Sequence, residues 1–276
     1  MSRQRIVTLT SIPPRFENLS RVLQSLLQQR LAADQIQVWI PAAFRRFPGW
    51  TGALPHLPPG VSLMRCLVDY GPATKILPAL NHFAGRDVDL FLCDDDHLYH
   101  RDWLGQMAQA ALAQPAAAIA AAGFDWVQAA LPDTRLPRVQ MTTTAERRLM
   151  QDSDLAQYLG RSPVVKHGGY CDVFHGFCGA LVRADMLRLG LPAPPEVLWT
   201  VDDPWISGHL ARSGTPIWVD ANIPPPVVIA QSDSADPLMR AVLDGHDRKA
   251  ANAAARLWFQ TTHGVWPNTD PSPAKQ

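Results

Sequence analysis

Residues 89–99 read DLFLCDDDHLY. Leu90, Phe91, Leu92 and Cys93 make a short apolar run with the length and composition of a buried strand. Asp94, Asp95 and Asp96 follow it without a break. Three adjacent carboxylates repel one another and cannot all enter an apolar interior uncompensated. They must face water or hold a cation. At the carboxyl end of a strand, the fitting partners are a hard divalent metal and the phosphates it grips.

Outward from this stretch, strands and helices alternate. Residues 5–10 (RIVTLT) read as a first strand. Residues 16–31 carry Leu19, Val22, Leu23, Leu26 and Leu27 at helical spacing. QIQVWIP is a short strand stopped by Pro41, and residues 61–68 are another strand. DYGPATKILPALNHF gives a turn and then a helix. After the acidic strand, residues 101–114 form a helix ended near Pro115, and AAAIAAAG reads as a central strand by its position, although alanine favours helix. This alternation predicts an α/β fold on a mostly parallel sheet. Such sheets bind ligands beyond the carboxyl ends of their strands. SIPPR, DYGP and DDD each follow a strand and should gather at one edge.

The second half is less regular. Residues 124–166 form a polar excursion. YCDVFHGFCGALVR follows, then a proline-rich loop, then VDDPWISGHLARSG, whose Ile206 and Leu210 suit a helix packed on one face. Residues 216–219 read as a strand. Residues 236–266 are largely helical, with a break near Gly245. PNTDPSPAKQ, residues 267–276, reads as a disordered tail.

The chain has 276 residues, enough for one large domain or one domain with a small annex. Its formal net charge is zero, which weakens any nucleic-acid reading. No run approaches the roughly 20 apolar residues of a membrane span. MSRQRIVTLTS lacks the apolar core of a signal peptide, so the expected location is cytoplasmic. Cys66, Cys93, Cys171 and Cys178 make no CxxC pair and read as buried reduced thiols rather than a zinc site.

Asp94-x-Asp96 can chelate a divalent cation directly or through water. The bland alternative is a solvated acidic turn or a helix cap. A second acidic pair, Asp202-Asp203, precedes a helix, with Pro204 suited to its first position and Asp203 to its cap. One of the two carboxylates can instead act as a general base on an acceptor hydroxyl. Arg15, stiffened by two prolines, either reaches a phosphate or fixes its own loop. Lys75 stands at a helix start, where a cation needs an anionic partner. His263 is either an imidazole ligand for the same metal or a helix-end residue packed by Trp266. His246 is the alternative ligand, and His209 reads as structural. Gly168, Gly169, Gly176 and Gly179 suggest close approach of the backbone to a bound group. They match no dinucleotide fingerprint.

Taken together, IVTLTSIPPRF, DYGPATK, LCDDDHLY, DVFHGFCGALVR, VDDPWISGHLA and HGVW resemble a nucleotide-sugar-dependent glycosyltransferase of the GT-A type, family 2-like, with its DxD motif. The resemblance implies a GT-A fold: a Rossmann-like, mostly parallel central sheet flanked by helices. It implies a single catalytic domain over residues 1–266, with a nucleotide-donor half near 1–123 and an acceptor half near 124–266. By that likeness Thr10, Ser11, Pro13 and Arg15 lie against the nucleotide. Asp69 or Tyr70 contacts base or ribose, and Lys75 lies near ribose or phosphate. Asp94 and Asp95 serve the donor, and Asp96 holds Mn2+ or Mg2+, with Asp94 and His263 as further ligands. Asp203 matches the second acid of the family's acidic pair, although here the pair is Asp-Asp rather than Glu-Asp, so Asp202 also stands as the base. The implied reaction moves a sugar from a nucleoside diphosphate donor, UDP by the family's habit, to a hydroxyl of a glycan or lipid-linked acceptor, with inversion. The implied setting is polysaccharide biosynthesis, with peripheral membrane contact compatible. A nucleotidyltransferase or phosphotransferase shares the acid–metal–phosphate chemistry, and a noncatalytic nucleotide-sugar-binding protein shares the fold.

Overall fold

Eight strands build one mixed sheet in the computed structural model, which describes residues 3–126, 135–142, 163–229, 238 and 245–267. In chain order they are β1 (Gln4–Thr10), β2 (Gln35–Pro41), β3 (Val61–Cys66), β4 (Val88–Leu92), β5 (Ala118–Ala120), β6 (Gly169–Cys171), β7 (Ala180–Val182) and β8 (Ile217–Val219). Their order across the sheet is β6-β8-β5-β7-β4-β1-β2-β3. The strands β1 to β4 are parallel, and β5 pairs parallel with β8. Strand β7 runs against both β4 and β5, and β6 runs against β8. The sheet is therefore mostly parallel, as the alternation predicts, and consistent with a Rossmann-like fold of the GT-A type.

Among the described residues five α-helices accompany it: α1 (Phe16–Leu27), α2 (Leu77–His82), α3 (Trp103–Ala113), α4 (Asp202–Arg212) and α5 (Arg248–His263). Strand residues alternate between two cores, the period-2 consequence of the pleat. Val7, Leu9, Val38, Ile40 and Phe91 meet α1 and α3 on one face. Ile6, Trp39, Leu90 and Leu92 meet α2 and α4 on the other. On α1, Leu19, Val22, Leu23 and Leu26 are at most 1% exposed, so the helical spacing read from the sequence is the buried stripe. Truncating Leu23 to alanine there would cost about 2–5 kcal/mol. A third cluster joins Trp205 of α4 to Ala251, Ala255 and Phe259 of α5.

The alanine-rich segment forms a strand only over Ala118–Ala120. Both faces of β5 are buried, and β5 lies between β7 and β8, so sheet neighbours override helix propensity. Cys93, Cys171 and Cys178 are buried, Cys66 is half-buried, and all four are free thiols. Helix α5 starts after Gly245 at an Asp247 cap, whose Oδ1 accepts from Ala250 N at 2.7 Å. Most of the excursion at 124–166, the helix expected upstream of Gly245 and nearly all of the tail lie outside the described residues. No described helix is long and apolar enough to cross a membrane.

Candidate active site

The carboxyl ends of β1, β3 and β4 open onto one pocket of about 520 Å3. Thr10, Ser11, Arg15, Asp69, Asp94, Asp95, Asp96, Asp202 and Asp203 all line it. The three loops singled out in the sequence thus meet at one edge. The antiparallel β7 contributes from its amino end, through His175 and Phe177 in the turn before it.

The acidic run is neutralised from within. Asp94 Oδ1 sits 2.5 Å from Lys75 Nζ, which is also 3.0 Å from Asp202 Oδ2. Lys75 is 2% exposed. Burial works to strip its proton, but the charges of Asp202, Asp94 and Asp203 outweigh that and hold its pKa well above the usual lysine value. Thr8 Oγ1 donates to Lys75 O at 2.5 Å, which ties the lysine's turn to the middle of β1. The expected helix start at Lys75 is not what forms: the residue closes a 3-10 turn, Gly71–Lys75, and α2 begins after it. Its partner is a cluster of protein carboxylates, and it lies behind the pocket wall rather than on it.

Asp95 is as engaged as its neighbours. Its Oδ2 accepts from Ser11 Oγ at 2.6 Å and its Oδ1 from Arg15 Nη1 at 2.6 Å. The same guanidinium nitrogen is 3.0 Å from Asp96 Oδ2. Asp96 Oδ1 lies 2.6 Å from His97 Nδ1. Burial raises the pKa of Asp95 despite Arg15. Burial also opposes ionisation of Asp96, but the His97 hydrogen bond and the charges of His97, Arg15 and Lys75 prevail and bring it down to about 2. Arg15 thus fixes its own loop to the acidic run, one of the two roles read for it.

Asp202 and Asp203 are the first two residues of α4, after Val201 as its cap residue. Asp203 is not the cap, and no side chain caps this helix. The helix amino end favours negative charge nearby. Burial, followed by the charge of Asp202, pushes the pKa of Asp203 up to about 7, with Lys75 offsetting part of the rise. A buried carboxyl that titrates near neutrality and lines a pocket is suited to general-base work.

Other expected residues fall to the side. Pro13 opens the short turn that carries Arg15, and Tyr70 donates its backbone N–H to Thr74 Oγ1 at 3.0 Å; neither lines the pocket. Asp69 accepts from the backbone N–H groups of Arg45 and Gly71 at 2.8 and 2.9 Å. Burial raises its pKa. His263 is not brought to the acidic run. Its ring packs on Trp258 with centroids 4.8 Å apart and on His209 at 6.5 Å, at the far end of α4 from Asp202 and Asp203. His246 is exposed outside the pocket. His209 is buried, and burial lowers its pKa to about 4, in keeping with a structural role.

The residues present can be tested against a divalent cation. Among the described residues no group of three or more His, Cys, Asp or Glu side chains could hold one. Asp96 has both oxygens engaged, by Arg15 and His97. Asp94 is different: its side chain is 33% exposed, and Oδ2 has no partner among the described residues. The set does not fit a closed, all-protein site. It fits a cation that takes one or two carboxylates and completes its shell with phosphate and water.

Aromatic walls were not legible as such in the sequence. Trp199 Nε1 donates to Asp69 O at 3.0 Å, and a Cβ on Gly71 would stand 2.7 Å from Trp199 O. Gly71 also has φ +60°, so glycine is required there twice over. Phe177 lies 5.0 Å from the His97 ring, and Phe44 and Phe47 complete the wall. Trp199 stands three residues before the acidic pair and Phe177 between two glycines, the only signals either offered. Arg248, at the start of α5, also lines the pocket and had none. The expected role of the glycines is revised too. Gly169 makes room for residues 137–139, Gly179 for the Trp103 ring, and Gly176 for Asp203. Their close approaches are to the protein itself.

The fold and site define an α/β chain with a pocket beyond the carboxyl edge of its sheet, where a buried cation and a guanidinium hold four aspartates, with Asp203 beside them. No family model matches the chain, and no curated protein matches it. Among solved structures it is similar to S. aureus TarS 1-349, at 11% identity over 95% of this chain and 74% of that one, with a TM-score of 0.47. It is similar to the same protein in complex with UDP-GlcNAc, at 12% identity over 88% and 62%, with a TM-score of 0.49. It is also similar to the mannosyltransferase PcManGT from Pyrobaculum calidifontis in complex with GDP-Man and Mn2+, at 17% identity over 97% and 73%, with a TM-score of 0.47. At these identities and scores no likeness assigns an activity.

Proposed function

We propose that the chain is a glycosyltransferase that takes a sugar from a nucleoside diphosphate donor, UDP by preference, and passes it to a hydroxyl acceptor with inversion. One observation carries the reading: the buried carboxyl of Asp203, whose pKa burial and then the charge of Asp202 push up to about 7, shares a pocket with the acidic run at the end of β4. Donor and acceptor chemistry thus have separate carboxylates within reach of one another.

In this reading the aromatic walls at Phe44, Phe47 and Trp199 exclude water and hold the flat parts of the donor. Asp94, with Asp96 beside it, would hold a divalent cation, which supplies charge stabilisation to a departing diphosphate. Lys75 holds Asp94 and Asp202 in place. Asp203 accepts the proton of the acceptor hydroxyl at Oδ1 or Oδ2 as the new glycosidic bond forms. Asp202, 3.0 Å from Lys75 Nζ, orients the lysine. A cytoplasmic setting and a lipid-linked or polysaccharide acceptor complete the proposal.

Product analysis tests it. Incubation with UDP-sugars and a mixed acceptor panel should release free UDP together with a glycosylated product. Pyrophosphate release instead would assign nucleotidyl transfer. Tight nucleotide binding without turnover on any donor would leave a binding protein.

A further inference from the structure

His97 follows the acidic run directly and lines the same pocket. Its backbone is fixed on both sides. His97 pairs with Val228 in a short antiparallel ladder, and Ile229 N donates to Asp96 O at 2.8 Å. Its ring is fixed as well. Phe177 packs on it with centroids 5.0 Å apart, and Nδ1 lies 2.6 Å from Asp96 Oδ1.

That hydrogen bond decides which ring nitrogen carries the proton. Asp96 Oδ2 is 3.0 Å from the Arg15 guanidinium, so Asp96 is a carboxylate and can only accept. Nδ1 must therefore donate. In a neutral imidazole the other nitrogen, Nε2, then carries the lone pair. Nε2 has no hydrogen-bond partner among the described residues, and it is not one of the unpartnered atoms shut off from solvent, so it opens on the pocket. A carboxylate that holds Nδ1–H and leaves Nε2 bare is the arrangement by which proteins aim a histidine at a metal ion. Asp96 itself is poorly disposed to bind one, because a cation would have to displace Arg15 or His97 from its oxygens.

We propose that His97 is a direct ligand of the divalent cation through Nε2, alongside Asp94, and that Asp96 is a positioning residue that fixes the proton and the aim of His97. The proposal rests on the metal-assisted transfer reading of this pocket. Two protein ligands leave the rest of the shell to diphosphate and water, in agreement with the lack of a three-ligand group among the described residues. An imidazole nitrogen also selects the ion: it favours a transition metal such as Mn2+ over Mg2+, which keeps to oxygen ligands.

The test is electron spin-echo spectroscopy of Mn2+ bound to the untagged full chain with UDP, beside calorimetric titration of UDP with Mn2+, with Mg2+ and without metal. The wild type should show modulation from a directly bound imidazole nitrogen, and should bind UDP more tightly with Mn2+ than with Mg2+. His97→Asn removes Nε2 but keeps an N–H donor for Asp96, so it should keep the wild-type Tm. It should erase the nitrogen modulation, weaken Mn2+-supported UDP binding at least about tenfold and bring the two ions level. Bound Mn2+ without nitrogen modulation in the wild type overturns the proposal, because oxygen alone then holds the ion. So does modulation that persists in His97→Asn, or a wild type that binds no Mn2+. An equal loss of UDP affinity in the variant with and without metal overturns it too, since the imidazole would then touch the nucleotide itself. Failure of the transfer reading shows separately, as nitrogen-ligated Mn2+ in a chain that turns over no donor.

Discussion

A Cβ on Gly176 would stand 2.3 Å from Asp203 Oδ1 and 3.2 Å from Lys75 Nζ. The missing side chain at 176 is what lets the turn before β7 close over the Lys75–Asp202–Asp203 cluster. Alanine at 176 must therefore displace the carboxylate, because the backbone on the other side belongs to a turn anchored in the sheet. We expect Gly176→Ala to fold with a modest loss of Tm and to lower kcat about 100-fold, the scale of a misplacement near 1 Å. Unchanged kcat would show that Asp203 has no fixed catalytic position.

The pKa of Asp203 sets a pH signature. In the unfolded chain an aspartate titrates near 3.9, and in the fold Asp203 titrates at about 7. The folded state therefore holds this proton more tightly, so stability from this group falls as pH rises from about 4 to 7 and levels off above. Activity runs the other way, because a base must be unprotonated. kcat/KM should rise with pH with a midpoint near 7. Asp203→Asn should remove both the rising limb and the stability slope, measured by rate profiles and by thermal melts across pH. A rising limb that survives in the asparagine variant would assign the base elsewhere.

Lys75 is the only cation in contact with Asp94 and Asp202 among the described residues. Removing one member of a buried ionic cluster costs about 3–5 kcal/mol, because the remaining charges lose their partner in an apolar setting. Lys75→Met should lose stability on that scale in denaturant melts. It should also move the midpoint of the activity profile upward, since the charge that holds down the pKa of Asp203 is gone. A variant as stable as the wild type would mean that the carboxylates are solvated rather than packed.

Much of this arrangement could be read before the fold was seen, and the reason is local. The apolar run 90–93 and the stripe at Leu19, Val22, Leu23 and Leu26 follow one period each, so strand, helix and sheet edge came from spacing alone. The acidic run announced a charge problem, which located the site. What spacing could not show was which cation answers which carboxylate. Lys75 and Asp94 are separated by a helix and a strand, and Arg15 reaches Asp95 from the turn after the neighbouring strand β1, 80 residues away in sequence, so those pairings are tertiary. The same holds for His263: its place near the end of a long helix suggested a ligand, and α5 instead carries it to the far end of α4. Arg248 belongs to an element whose neighbours in space are remote in sequence, so nothing nearby marked it.

The metal prediction separates these residues most sharply. Asp94 has an oxygen without a partner among the described residues, Asp96 adjoins it, and His263 packs among Trp258, Phe259 and His209. Calorimetric titration with UDP, with and without Mn2+, should show metal-stimulated affinity in the wild type. Asp94→Asn should erase the stimulation with little change in Tm, because a neutral amide still meets Lys75. Asp96→Ala should erase it too and also lower Tm, since Arg15 and His97 lose a partner. His263→Ala should leave the stimulation as it is. If the histidine variant loses it while Asp94→Asn keeps it, the cation binds away from the acidic run, and the division of labour between Asp94 and Asp203 falls with it.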